Sequence, residues 1–332
     1  MSAPTIVAVV PEGLAREFFA PEDLDALTEA ARSLGGAFLR VDDLAEVPDA
    51  TAVRVVVTSW GARPFDASVL DGLPALELVA HTGASIRPFV TDELYDRGIV
   101  VTQAGAGMAR SVAEVSLTFT LALLHRVPQM HDALRRGAGW WDPSLVQHEI
   151  LGARIVIVGA SRTGRAYLEL VRALGADPVL VDPTLDPEAA AQLGAPLRSL
   201  DEALRTASVV ALHAPTLPET HHLIGASELA LLPDGAALVN TARSWLVDER
   251  ALLAELATGR LSAAIDVFDE EPLPVDSAFR TAPGVLLTPH RAAGTHEGRL
   301  RQGRIVTAEI AAFAAGRPLE HAISREQRAI MG

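Results

Sequence analysis

Short apolar runs of strand length alternate with stretches of helical apolar spacing along almost the whole chain. In the first hundred or so residues, runs at 6–10, 53–58, 76–81 and 99–102 are separated by helical patterns at 21–32, 65–70 and 91–97. The rhythm resumes at Arg154–Val158 and repeats through 179–181, 209–212, 236–239, 261–265 and 285–287. Helical spacing falls at 165–174, 201–206 and 248–258, and a last helical pattern covers 298–315. Such alternation predicts parallel sheets covered by helices on both faces, an α/β architecture. Between the two series lies the longest helical pattern, 109–126, apolar around most of its circumference. A helix of that kind is expected to be buried on several sides, as one bridging two domains or entering a subunit interface would be. The expected organisation is a larger domain at 106–295 inserted into a smaller one built from 1–105 and 296–332, with two linkers crossing a cleft. Beyond the long helical pattern, Arg135-Arg136, glycines at 137 and 139 and the pair Trp140-Trp141 predict a homo-oligomer contact.

The second series opens with a chemical signal. Arg154–Val158 runs into Gly159-Ala160-Ser161-Arg162-Thr163-Gly164, a helical pattern follows, and the next strand ends on Asp182. That acid lies near the ~20-residue spacing at which a carboxylate bonds a ribose hydroxyl. A helix N-terminus behind a glycine turn suits a pyrophosphate, so the stretch predicts dinucleotide binding. Ser161 stands where a middle glycine usually lets phosphates approach the backbone. No basic residue accompanies Asp182 on its own loop, which predicts NAD over NADP, because a carboxylate there repels a 2′-phosphate.

Composition narrows the chemistry. Of 332 residues, 49% are hydrophobic and 21% charged, so a large buried core is expected. The net charge of -14 disfavours nucleic acid and anionic membranes as partners and favours a small molecule. Cysteine and lysine are both absent, and all 28 basic residues are arginine. That excludes thiolate nucleophiles, cysteine-ligated metals, Schiff-base lysines and a Walker-type phosphate lysine, and no metal site is expected. The start of the chain lacks a cationic signal segment, and no apolar stretch is expected to reach the ~20 residues of a membrane span, so the expected compartment is the cytoplasm.

Asp182, His213, Arg243, Asp266 and His290 each fall at or just past the carboxyl end of a successive predicted strand, where a doubly wound sheet gathers its ligands. The planar fork of arginine suits a carboxylate, and histidine suits proton transfer near neutral pH. A neighbouring carboxylate would orient the imidazole, and Asp266, Asp269, Glu270 and Glu271 are candidates for it. Nicotinamide-linked reduction of a 2-oxo acid needs such a set: a hydride at C2, a proton for the alkoxide and a cation on the carboxylate. In the first series, Ser59-Trp60-Gly61 and His81-Thr82-Gly83-Ala84-Ser85 also follow strands. The second loop could offer amides to an anion, and Trp60, His81 and Trp245 are candidates to line a pocket.

In G-A-S-R-T-G with Asp182, H-A-P-T-L-P-E-T at 213–220, V-N-T-A-R at 239–243, A-I-D-V-F-D-E-E-P at 264–272 and T-P-H-R-A-A-G-T at 288–295, the chain resembles the D-isomer-specific 2-hydroxyacid dehydrogenases. The resemblance implies a doubly wound Rossmann NAD domain inserted into a smaller flavodoxin-like substrate domain, NADH as cofactor, and interconversion of a D-2-hydroxy acid with its 2-oxo acid. It implies Arg243 as the substrate clamp and Glu271 as the acid paired with a catalytic His290. Gly159, Ser161, Arg162, Thr163, Gly164, His213, Thr241 and Ala242 would meet the cofactor, Asp266 its carboxamide and Asp182 its adenosine ribose. Amides of Thr82, Gly83 and Ala84 would hold the substrate carboxylate, with Trp60 and His81 nearby. V-A-E at 112–114 would mark the interdomain helix, and a homodimer is expected. Two departures are Ser244-Trp245 after the arginine, where glycine usually comes first, and the lack of an Asp-Asn pair after His81. The same fold serves formate dehydrogenases, in which the acid is typically glutamine, so Glu271 argues against that reading. It also serves NADH-sensing corepressors, which a turnover assay separates from enzymes.

Overall fold

The structure, a computed structural model, describes residues 2–137, 140, 142 and 145–330. The chain divides into two compact units, Met1–Met108 with Gly294–Gly332, and Ala109–Ala293.

In the first unit β1 (Pro4–Val9), β2 (Ala37–Val41), β3 (Val55–Thr58), β4 (Leu78–His81) and β5 (Val100–Gln103) form a parallel sheet in the order β2-β1-β3-β4-β5. Successive residues point to opposite faces, and both faces are covered. Val7, Val56, Val79 and Val101 pack with Phe65, Leu70 and Leu94, whereas Ile6, Val55, Val57 and Leu78 pack with Phe18, Leu27 and Ile310. Strands buried on both faces read as unbroken apolar runs, which is why β1, β3, β4 and β5 stand out in the sequence. β2 does not. It is an edge strand whose Ala37, Phe38, Leu39 and Arg40 are only partly buried, so neither an apolar run nor a period of two marks it.

In the second unit β6 (Arg154–Val158), β7 (Asp177–Val181), β8 (Val209–Leu212), β9 (Ala237–Asn240), β10 (Ser262–Ile265) and β11 (Val285–Leu287) form a parallel sheet in the order β11-β10-β9-β8-β6-β7. A parallel bridge from Leu180 to Leu197 extends it beyond β7, a rudimentary further strand of the doubly wound order. The helix Ala109–Leu124 belongs to this unit and packs along the helix Arg162–Ala173. Thr120 and the fully buried Tyr167 share a hydroxyl–hydroxyl bond of 2.6 Å between them.

One expectation is corrected here. The stretch Gly105–Leu124 is long and apolar enough to cross a membrane by length and composition, although 50% of it is buried inside the protein. Its buried Ser116 and Thr120 bond backbone oxygens one turn back, a pattern that lets polar residues sit in a core helix. Of the segment expected to form a subunit contact, Gly139 and Trp141 lie outside the described residues, while Trp140 is exposed.

Candidate active site

β6 delivers the chain into Gly159 at φ +98°, where a Cβ would lie 2.6 Å from the Ala214 nitrogen. A Cβ at Gly164 would lie 2.1 Å from the Gly159 carbonyl oxygen. The outer two glycines are thus demanded by the packing of the turn itself. The middle position is not. Ser161 has φ -63° and ψ 176°, ordinary geometry for a residue preceding a helix, and its Oγ accepts from the Gly164 amide at 3.3 Å and meets Thr163 Oγ1 at 2.9 Å. Serine therefore caps the helix Arg162–Ala173, while occupying an amide that a bare turn would offer to an anion.

Arg162 begins that helix. Burial pulls its pKa below the ordinary arginine value, and it makes no hydrogen bond or ion pair among the described residues. At the end of β7, Asp182 accepts from the Ala160 amide at 2.7 Å through Oδ2, and from the Thr184 amide at 2.9 Å and hydroxyl at 2.6 Å through Oδ1. Burial works against its charge, but these bonds and the nearby Arg165 outweigh it and hold the carboxyl below its usual range. A cavity of about 570 Å³ opens beside it, lined in part by Val181, Asp182, Leu197 and Ser199. A close-packed turn, an exposed, unpaired guanidinium and an ionised carboxylate at the next strand end fit the pyrophosphate and ribose of a dinucleotide.

His213 sits beneath this turn. It is 3% exposed, its ring lies 5.1 Å from that of Tyr167, neither ring nitrogen has a hydrogen-bond partner, and burial pushes its pKa down to about 3. It is a neutral residue packed under the glycines.

Past β9 the chain turns sharply. Asn240 brackets the turn, accepting from the Ala242 amide at 3.1 Å and donating to the Arg243 carbonyl at 2.9 Å, a role its place in V-N-T-A-R did not reveal. Thr241 is tied to Ser116 of the long helix by a hydroxyl bond of 2.7 Å. Arg243 donates to the Ala242 carbonyl at 2.7 Å; burial lowers its pKa, the charge of Glu271 opposes that, and the guanidinium stays cationic.

After β10 and β11 come the acid and the imidazole. His290 Nδ1 lies 2.7 Å from Glu271 Oε2, and Glu271 Oε1 accepts from the Phe268 amide at 2.9 Å. With Nδ1 committed to a carboxylate, Nε2 is the nitrogen left for proton exchange. Asp266 is engaged elsewhere: Oδ1 accepts from the Thr288 hydroxyl and the Arg291 amide, and Oδ2 from the Ala292 amide. At 1% exposure it clamps the loop that carries His290. The clamp has a reason. His290 adopts φ +50°, which costs a non-glycine residue about 1–2 kcal/mol, and its amide is held by the Asp266 carbonyl at 2.8 Å. A cavity of about 580 Å³ adjoins the pair, lined in part by Phe268, Glu271, Leu273, Arg280 and His290. Among the described residues no three histidine or acidic side chains are grouped to hold a metal.

Trp245 is 39% exposed and donates its indole N–H to the Leu217 carbonyl at 2.8 Å, and the other candidates lie in the first unit. His81 is buried, bonded through Nδ1 to the Thr58 hydroxyl at 3.0 Å and packed 4.6 Å from the Phe89 ring, and burial pushes its pKa down to about 3. It supports the loop from below instead of lining a pocket. The Thr82 amide is taken by the Thr58 carbonyl at 2.9 Å, whereas the amides of Gly83 and Ala84 make no hydrogen bond among the described residues. Trp60 is 39% exposed, with Phe18 at 5.4 Å and the Arg299 guanidinium at 4.2 Å from its ring. A Cβ at Gly83 would lie 3.2 Å from its indole nitrogen and 2.8 Å from His81 Nε2, so the loop needs glycine there.

The sequence signature described as D-isomer specific 2-hydroxyacid dehydrogenase, NAD binding domain, matches residues 117–292. D-3-phosphoglycerate dehydrogenase of Mycobacterium tuberculosis is 36% identical over 282 residues, 85% of this chain and 52% of that one, so the chain spans about half the length of this relative. Glyoxylate reductase of Aeropyrum pernix is 32% identical over 290 residues, 85% of each chain. Among solved structures, the TT0316 protein from Thermus thermophilus matches with a TM-score of 0.79 and 28% identity, covering 96% of this chain and 99% of its own. The NAD-complexed D-isomer specific 2-hydroxyacid dehydrogenase from Lactobacillus delbrueckii ssp. bulgaricus matches with a TM-score of 0.81 over the same shares, at 21% identity a likeness of fold alone.

Proposed function

Because the chain belongs to the D-isomer specific 2-hydroxyacid dehydrogenase family, we propose that it is an NAD-dependent oxidoreductase interconverting a D-2-hydroxy acid and its 2-oxo acid. The observation that carries this reading is the 2.7 Å bond between Glu271 and His290, with the cationic Arg243 electrostatically coupled to the same glutamate. Arg243 clamps the substrate carboxylate and polarises its carbonyl. Glu271 holds the imidazole by Nδ1, and His290 donates the proton on Nε2 to the nascent alkoxide in reduction and removes it in oxidation. Bound NADH would supply the hydride. Arg162 and the amides of the Gly159–Gly164 turn take the pyrophosphate and Asp182 the adenosine ribose. We also propose that the unbonded amides of Gly83 and Ala84, next to Trp60 in the first unit, form an anion site.

The test is a panel of 2-oxo acids with NADH, followed by loss of NADH absorbance. Turnover of none would sink the enzyme reading and leave a dinucleotide-binding protein of the corepressor kind. The ionised Asp182 supports NADH over NADPH, and equal or better kcat/KM with NADPH would reverse that preference. Exposed Val127, Leu134, Val146 and Leu151 support a homodimer contact in this segment, which a monomeric sedimentation profile would refute.

A further inference from the structure

Two consecutive amides after β10 have no strand partner, and a carboxylate takes each. Phe268 N donates to Glu271 Oε1 at 2.9 Å, and Asp269 N donates to Glu249 Oε1 at 2.9 Å. The first bond sets Glu271, whose other oxygen holds His290 Nδ1. The second comes from a different element, the helix Glu249–Thr258, which is anchored in the core by Leu252 and Leu256. We propose that Glu249 is a positioning residue for the proton-transfer pair: it ties the 268–269 peptide to this helix, so that the Phe268 amide keeps Glu271 on His290. The inference rests on the roles proposed above for Glu271 and His290.

The surroundings favour a hydrogen-bonding task over an electrostatic one. Glu249 shares its corner with the charges of Asp269 and Glu271, and Glu271 is balanced on its other side by Arg243. Burial raises the pKa of Glu249, its bond to the Asp269 amide lowers it, and the two neighbouring carboxylates raise it again. A third negative charge beside Glu271 does nothing to localise that residue, whereas an acceptor on the Asp269 amide does. On its other flank the peptide is held by the Phe268 ring, packed edge-on 5.8 Å from Phe279. Glu249 is therefore the polar half of a two-point anchor, and what the anchor needs from it is an acceptor oxygen.

Glutamine keeps the acceptor and loses the charge; methionine keeps the volume and loses the acceptor. Hydrogen exchange at the Phe268 and Asp269 amides, measured on the unliganded protein, and steady-state kinetics on a 2-oxo acid with NADH separate the two. Glu249→Met is expected to speed exchange at both amides and lower kcat roughly tenfold with KM for NADH unchanged, the signature of a misplaced catalytic pair. Glu249→Gln is expected to recover most of both. Unchanged exchange in Glu249→Met, wild-type kcat despite faster exchange, or a Glu249→Gln protein as impaired as Glu249→Met would each overturn the proposal. Should Glu249→Met not fold, Glu249→Ala is read in the same way. If the wild-type protein turns over no 2-oxo acid while exchange still responds and glutamine still rescues it, the anchoring of Glu271 is upheld and the proposed reaction falls.

Discussion

The two units are wound alike and differ in what they place at equivalent positions. The first sheet runs β2-β1-β3-β4-β5; in the second, β7-β6-β8-β9-β10 repeats that winding and β11 extends it. In each, the first strand leads into a helix at its carboxyl end, where such sheets take ligands. After β6 the chain makes the Gly159–Gly164 turn, and the next helix has no acid in its first turn. After β1 it passes Pro11 into the helix Glu12–Phe18, which has Glu12 in its first turn and no side-chain cap. The positive end of one helix is open to an anion, and that of the other carries its own carboxylate. Topology sets where a ligand can sit; a few loop residues set whether one does. A second parallel lies deeper, in a neutral buried histidine at a strand end of each unit, His81 on a threonine and His213 on nothing.

The sharpest way to break this comparison is at the proton transfer proposed for the second unit. His290→Ala is expected to lower turnover by the ~10²- to 10⁴-fold of a lost general acid while NADH titration stays near normal. Near-normal turnover would remove His290 from proton transfer.

The glycines come next. Gly164→Ala forces a methyl against the Gly159 carbonyl and is expected to cost about 2–3 kcal/mol of stability and to weaken NADH. Gly13→Ala, in the corresponding helix of the first unit, meets nothing within 4 Å and is expected to stabilise by about 0.5–1 kcal/mol. Equal Tm shifts would erase the distinction between the two turns.

Acid tests what the units share. Both histidines have a folded pKa of about 3 against a reference value of 6.5, so the unfolded chain binds protons that the folded chain refuses. Stability is complete above the reference value and falls as pH drops from there towards the folded one, by about 1.4 kcal/mol per pH unit for each histidine. His213→Phe should remove its share of that slope in denaturant melts compared at about pH 7 and about pH 5; an unchanged slope would mean that His213 titrates freely. The smallest effect is expected from Ser161→Gly, which frees the Gly164 amide. NADH should bind several-fold tighter, by about 1 kcal/mol, with stability changed by a few tenths. Weaker binding would show that the serine hydroxyl helps to hold the cofactor.

The glycine turn, the strand ends and the family motifs were readable from the chain alone, whereas several partnerships were not. Four acids in the segment after β10 looked equivalent on paper. In the fold Glu271 holds His290, Asp266 clamps the loop around it, the Asp269 amide is held by Glu249, and Glu270 is exposed. Nothing in A-I-D-V-F-D-E-E-P distinguishes these fates. His81 looked like a pocket residue because it follows a strand, but its in-register pairing with Thr58 turns it into the unit's interior. Glu249 had no visible role, since a glutamate opening a helix is ordinary dipole chemistry.

Strand–helix alternation, the helix N-terminus behind Gly159 and the carboxylate ending β7 follow from neighbours along the chain, where periodicity and turn chemistry act directly. The Glu271–His290 pair, the Glu249 bond and the Asp266 clamp join residues 19 to 26 positions apart. Their distances depend on the register of β9, β10 and β11 and on the path of the loops between them, a matter of packing that no local pattern encodes. The glycine turn shows both sides. Its outer glycines are written in the motif, but that Ser161 is harmless to the fold, and competes with an anion for the Gly164 amide, emerged only when the backbone around it was closed.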